Sequence, residues 1–138
     1  MDFIVTVDLV RKIRRSEDSK LRHIGDDALL IAIDRYRKFM TLAAENPDHE
    51  FAPARDIDEI WHTHLTCPRA YLADCERLLG SGGLVDHDGG FGATDEEAVE
   101  LDAIFLRTAK AFESRFGEPY ITAASGGVAR CIRACRVA

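Results

Sequence analysis

No stretch of this chain approaches the ~18 consecutive apolar residues of a membrane-spanning helix, so the sequence predicts no membrane partner. Positive charge is also in short supply. The 18 Lys and Arg stand against 24 Asp and Glu, leaving a net charge of −6. The basic stretches, Arg11-Lys12-Ile13-Arg14-Arg15 and the C-terminal Arg130, Arg133 and Arg136, are short. A nucleic-acid-binding domain usually carries a basic stripe, so no nucleic-acid partner is expected. The N-terminus, Met1-Asp2-Phe3-Ile4-Val5-Thr6-Val7-Asp8, lacks a basic segment followed by a long apolar run and predicts no secretory signal. Cysteine and proline are scarce, at four each. Without a signal, four cysteines read as reduced thiols and place the chain in the cytoplasm. Cys67 with Cys75 and Cys131 with Cys135 are local pairs, but neither has the two-residue gap of a zinc knuckle or redox motif. No nucleophile elbow, phosphate-binding loop, dinucleotide fingerprint or HExxH pattern occurs. No nucleotide cofactor is expected, no reaction is named, and the balance of the reading is against an enzyme.

What is there suffices for a core. A chain of 138 residues, 46% of them hydrophobic, suits one compact domain. Residues 2–8 read as a short strand or extended lead-in, and 8–15 as a short helix. A strong helix over 27–45, capped by Asp26 or Asp27, follows from apolar residues at three- and four-residue steps: Leu29, Leu30, Ile33, Tyr36, Phe39 and Met40. Asn46-Pro47-Asp48 stops it, and 46–55 reads as a polar loop. A helix over 57–65 starts near Asp56. Pro68 opens another, over 68–79, at a position where its missing N–H costs nothing. Thr94 to Glu97 is a capping box for a helix over 95–116, with Gly117 as its C-cap. The expected fold is all-α. It is a compact bundle of about four main helices packed around Leu30, Ile33, Ile60, Leu72, Leu78, Leu101, Phe105 and Phe112. A glycine-rich loop over residues 80–92 is expected to be flexible or tightly turned. The expected division is a helical domain over 1–124 and a short Cys- and Arg-containing tail over 125–138.

The segment Asp56 to Cys75 concentrates the chemistry. It holds the sole tryptophan, Trp61, with His62, His64, Cys67, Asp74 and Cys75, and His87 follows soon after. On a helix, His62 and His64 are about 200° apart and face nearly opposite ways. Asp58 lies four residues before His62, on its face. Its carboxylate can hold one ring nitrogen and free the other for a metal or a proton. His62 is therefore the expected centre, while His64 reads equally well as a surface residue. Cys75, Trp61 and Tyr71 read first as packing. Asp56 and Glu59 read as first-turn acids favoured by the helix dipole. His23 and His49 read as surface residues.

The pattern Asp58-x-x-Trp61-His62-x-His64, Tyr71-x-x-Asp74-Cys75, Gly80 and His87 resembles the glycine-rich domain-containing protein-like family of plants, fungi and bacteria. The long glycine-rich region of the plant members is not among these 138 residues. The resemblance implies a shared site around His62, Cys75 and His87 and brings no activity with it. Two readings of that site stand. In one, His62, Cys75 and His87, with His64 or an aspartate, hold zinc or another transition metal, and Asp58, Trp61 and Tyr71 support them. In the other, the Trp, Tyr and His cluster holds no metal and shapes a pocket for a protein or small-molecule partner. The tail, with Cys131 and Cys135, could be a metal-passing or modified segment. A short terminal helix or an untied end is the plainer reading.

Overall fold

A computed structural model describes residues 2–134. The elements are α1 (Leu9–Arg15), α2 (Asp26–Glu45), α3 (Arg55–Leu65), α4 (Pro68–Leu79), β1 (Asp86–Gly89), α5 (Asp95–Phe116) and β2 (Cys131–Ala134). The fold is mostly helical, as the periodicity predicts. The four main helices stand within a residue or two of their expected limits. Among the described residues no helix is long and apolar enough to cross a membrane.

Local chemistry explains most boundaries. The Asp8 carboxylate accepts the Arg11 amide at 3.1 Å and starts α1. The Thr94 hydroxyl accepts the Glu97 amide at 3.1 Å and starts α5. Glu97 does not return the bond to Thr94; its carboxylate takes the Gly92 amide at 3.0 Å. Gly117 ends α5 in the left-handed conformation, at φ 69°. The cap of α2 is Gly25, with Asp26 and Asp27 in the first turn, so the expected aspartate cap is corrected by one position.

Helix α3 lies centrally, packed against α1, α2 and α4, and α5 covers α2 from another side. Tyr36, Phe39, Ile57, Ile60, Trp61, Ile104 and Phe112 are fully buried. Two expected core residues are not inside: Leu30 is 56% exposed and Leu72 is 48% exposed. The buried stripe of α2 runs through Leu29, Ala32, Tyr36, Phe39, Met40 and Ala43, which turns Leu30 about 100° away from the core. On α4 the buried positions are Tyr71, Asp74 and Cys75, and Leu72 falls between them.

Three connections differ from expectation. The loop read as polar over 46–55 is buried from Phe51 to Ala54. It lies antiparallel to the end of the described chain, with bridges from Phe51 to Arg133 and from Ala54 to Val128. Carbonyls of Gly127 and Ser125 accept the Arg55 and Asp56 amides at 3.0 Å each, satisfying the open amides of α3. The glycine-rich link is tightly turned at Gly80, Gly82, Gly90 and Gly92, all at positive φ, and carries β1 between the turns. The segment read as a tail carries β2 in place of a short helix or untied end. The two strands pair antiparallel, with His87 opposite Arg133 and Gly89 opposite Cys131. Cys135 lies outside the described residues. Gly92 then turns the chain towards α5 at φ +101°, where an added Cβ would meet the Leu101 side chain at 2.8 Å.

Two buried arginines fasten these connections. Arg35, 5% exposed, binds Asp56 through Nε at 2.8 Å and donates from Nη2 to the Tyr120 carbonyl at 2.7 Å. Asp56 is thus half of a buried ion pair, not merely a dipole-favoured acid. Arg133, 4% exposed, donates from Nη1 to the carbonyls of Ala43, Asn46 and His49 at 2.9, 3.0 and 3.2 Å. It closes the C-terminal end of α2 and fixes β2 in place.

Candidate metal centre

Helix α3 presents chemistry on two opposite faces. The outer face carries Asp58 and His62, one turn apart. Their side chains meet, with His62 Nε2 3.2 Å from Asp58 Oδ2. The loop after α4 brings His87 back to the same point. His87 Nε2 lies 3.2 Å from Asp58 Oδ1 and 3.1 Å from His62 Nε2. From β2 comes the Cys131 thiol, 3.5 Å from Asp58 Oδ2 and 3.8 Å from His62 Nε2. All four donors lie within 4.8 Å of one another.

These spacings test whether the residues suit a metal. A tetrahedral ion with bonds of about 2.0–2.1 Å to nitrogen or oxygen and about 2.3 Å to sulfur sets its donors roughly 3.3 Å apart, or roughly 3.6 Å where one is sulfur. The contacts here are 3.1 to 3.2 Å among the nitrogen and oxygen donors, with the two imidazoles on different oxygens of Asp58. The sulfur lies 3.5 to 3.8 Å from Asp58 and His62, while the group as a whole lies within 4.8 Å. Two imidazoles, a carboxylate and a thiol are also a donor set zinc accepts. The residues fit, and five of their contacts come close to that spacing. Without a cation, burial and the neighbouring Asp58 carboxylate push the Cys131 thiol up to about 12, so it stays protonated at neutral pH. Its own reactivity is that of an inert thiol, and an ion would have to displace its proton.

Trp61 and Tyr71 hold this arrangement from behind. The Trp61 ring meets the His87 ring edge to face at 4.5 Å between centroids. Trp61 Nε1 donates to the Tyr71 hydroxyl at 2.9 Å, and that hydroxyl donates to the Val85 carbonyl. Val85 precedes His87 by two residues, so the chain of bonds sets the loop that delivers the imidazole.

His64 occupies the inner face of α3. It is fully buried, which corrects the surface reading. The other side of α3 is not solvent but α2 and the N-terminal segment. His64 Nε2 lies 2.9 Å from Asp74 Oδ2, and Nδ1 lies 2.7 Å from the Tyr36 hydroxyl. A carboxylate only accepts, so Nε2 donates, and the neutral ring accepts the Tyr36 proton at Nδ1. Asp74 also accepts the Thr6 amide at 3.0 Å and the Thr6 hydroxyl at 2.8 Å. This network joins the lead-in, α2, α3 and α4, and both nitrogens of His64 are used within it.

Burial holds the His64 pKa below its ordinary 6.5 despite the Asp74 carboxylate. Between the lowered folded value and 6.5, the unfolded chain therefore binds more protons than the folded one. Stability from this group is complete above pH 6.5 and is lost as pH falls below it. Urea unfolding of wild type and His64→Gln from pH 7.5 downwards should show a steeper loss for wild type. Parallel curves would remove His64 as the cause.

Of the residues singled out in the sequence, the fold brings His62, His87 and Asp58 together. Cys75 is fully buried beside Tyr71 and the Val85 backbone and is not one of the four donors. The sulfur in the group is that of Cys131, a residue that sequence reasoning assigned to the tail. No period-two pattern marked it: arginine recurs at every third position, Arg130, Arg133 and Arg136, and Ile132 is as buried as Cys131 and Arg133 beside it. His23 and His49 are exposed, as expected.

A family model described as glycine-rich domain-containing protein-like matches residues 6–74. That range covers half of the chain. It contains Asp58, His62 and the whole His64 network, while His87 and Cys131 lie beyond it. The chain is 32% identical over 106 residues to glycine-rich domain-containing protein 1 of Arabidopsis thaliana, covering 71% of this chain and 12% of that protein. It is 30% identical over 127 residues to glycine-rich domain-containing protein 2 of the same plant, covering 83% of this chain and 15% of that protein. The chain thus spans only a small part of the length of these relatives. No solved structure matches it.

Proposed function

We propose that this chain, which belongs to the glycine-rich domain-containing protein-like family, is a small helical domain built around a transition-metal site, with zinc the ion its donors suit best. The observation that carries this is the convergence of Asp58, His62, His87 and Cys131, whose donor atoms all lie within 4.8 Å of one another. His62 and His87 take the roles suggested by the sequence. Asp58 is a donor in its own right, and Cys131 supplies the sulfur. Four protein donors fill a tetrahedron, which makes the site structural in type and assigns no reaction. Its work is to tie α3, β1 and β2 together. A thiol donor also suits a reducing compartment such as the cytoplasm.

The test is metal content. Protein purified without a histidine tag and stripped with chelator should take up one zinc per chain. Cobalt(II) in its place should give the visible absorption of a tetrahedral site with a sulfur-to-metal band. Cys131→Ser should lose that band, while Cys75→Ser should keep it. A wild-type protein that takes up no ion, or a band that survives Cys131→Ser, would sink the assignment.

A second reading is favoured by one contact. Cys131 Sγ already donates to Asp58 Oδ2 at 3.5 Å, so the group is partly satisfied without an ion. On that reading the cluster is a polar knot that shapes a surface for a protein or small-molecule partner, and the stripped protein is as stable as the loaded one.

A further inference from the structure

A cleft of about 640 Å³ lies beside the four-donor group, with Asp58 and Cys131 in its wall. Its size is that of a small-molecule site. Leu21, Leu101 and Val128 give it an apolar lining, and Lys20, Arg55 and Arg130 supply positive charge. Four carboxylates also face it, but three are already engaged. Asp56 is bound by Arg35, Asp58 by His62 and His87, and Glu59 by the Ser19 hydroxyl and the Lys20 amide. Only Asp102 stands outside such contacts. None of the three basic side chains enters an ion pair among the described residues. Three basic and four acidic side chains thus share the wall, with Asp56 offset by Arg35. The two guanidinium groups stand beside the apolar lining without a carboxylate partner among the described residues.

Both arginines are exposed, and the stem of Arg55 is held. The stem of Arg55 crosses Gly126, where a Cβ would stand 3.1 Å from Arg55 Cβ and 3.3 Å from its Cδ. Gly126 sits at φ +69°, so both its backbone and its lack of a side chain serve this passage. Arg130 runs beside Gly92, where a Cβ would lie 3.9 Å from Arg130 Cγ. Stems laid along glycine backbone lose little further freedom when their guanidinium groups take a partner. Guanidinium favours a planar, two-oxygen partner.

We infer that this cleft binds a small organic anion, a carboxylate or phosphate ester, gripped by Arg55 and Arg130 with Lys20 beside them, its carbon skeleton on Leu21, Leu101 and Val128. The inference stands without the metal, because the basic groups and the cavity need no ion.

The test uses the whole chain, metal-stripped and zinc-loaded, titrated with succinate and with glycerol 3-phosphate and followed by amide NMR shifts and calorimetry. Binding should move residues around 55, 92, 101 and 126–130 and weaken as salt is raised. Arg55→Glu with Arg130→Glu should weaken it at least tenfold, and Asp102→Asn should strengthen it. Thermal unfolding verifies that each variant is folded, and the single Arg130→Glu replaces the double variant if that does not fold. No saturable shifts in the cleft, or equal binding by wild type and the glutamate variants, would overturn the inference. Preference for one probe tells carboxylate from phosphate. Zinc uptake with no anion binding defeats this inference alone, while anion binding with no zinc uptake defeats the metal assignment alone.

Discussion

Asp56→Ala should cost about 3–5 kcal/mol of stability, the loss expected when one partner of a buried ion pair is removed. Arg35 and Asp56 expose only 6% and 8% of their side chains. With the carboxylate gone, the guanidinium keeps the Pro119 and Tyr120 carbonyls but remains a buried charge without a counter-charge. A domain of ordinary stability, about 5–15 kcal/mol, would lose a large share of its margin. The pair itself need not be a net gain over apolar packing. Arg35→Met combined with Asp56→Leu should therefore recover part of the loss, though it also takes the donor from the Pro119 and Tyr120 carbonyls. Urea unfolding of the three variants measures both effects. A single-variant loss under about 1 kcal/mol would show that the pair is solvated and unimportant.

Zinc should produce the second large effect. An ion that binds only the folded chain stabilises it by about 4 kcal/mol when free ion stands at roughly a thousand times its dissociation constant. For a domain of this size that corresponds to a rise in melting temperature of roughly 10–15 °C. Asp58→Ala, His62→Ala and Cys131→Ala should each abolish most of the rise. His64→Gln should lower the starting stability and leave the zinc-dependent increment intact, because His64 spends both nitrogens on Asp74 and Tyr36. Equal melting with zinc and with chelator would decide for the metal-free reading.

The legible parts of this protein were the local ones. Stripe, cap and stop signals lay within each helix, so α2 to α5 could be read within a residue or two. Asp58 and His62 were legible for the same reason, since a four-residue step is fixed by helix geometry. The opposite orientation of His64 was legible too, but not what covers it, because α2 and the lead-in reach α3 through contacts distant in sequence. The pairing of β1 with β2 left no local trace. Each strand is four residues long, one sits in a glycine-rich link, and the whole of α5 separates them. Cys131 was lost with β2. Leu30 and Leu72 were misplaced by taking every apolar residue near a stripe as part of it.

The donors of the cluster come from opposite reaches of the chain, and Asp58 and Cys131 are 73 residues apart. Closing so long a loop is slow compared with forming the helices inside it. On a ribosome, residues 58, 62 and 87 emerge well before 131. The early part could offer an ion two imidazoles and a carboxylate, and the thiolate that completes the tetrahedron would arrive last. Arg133, two residues later, must then find the end of α2 for β2 to hold. On the proposed metal reading, the ion would thus lock the domain after its helices have formed rather than seed them, and a chain lacking residues 131–134 would give up its ion readily.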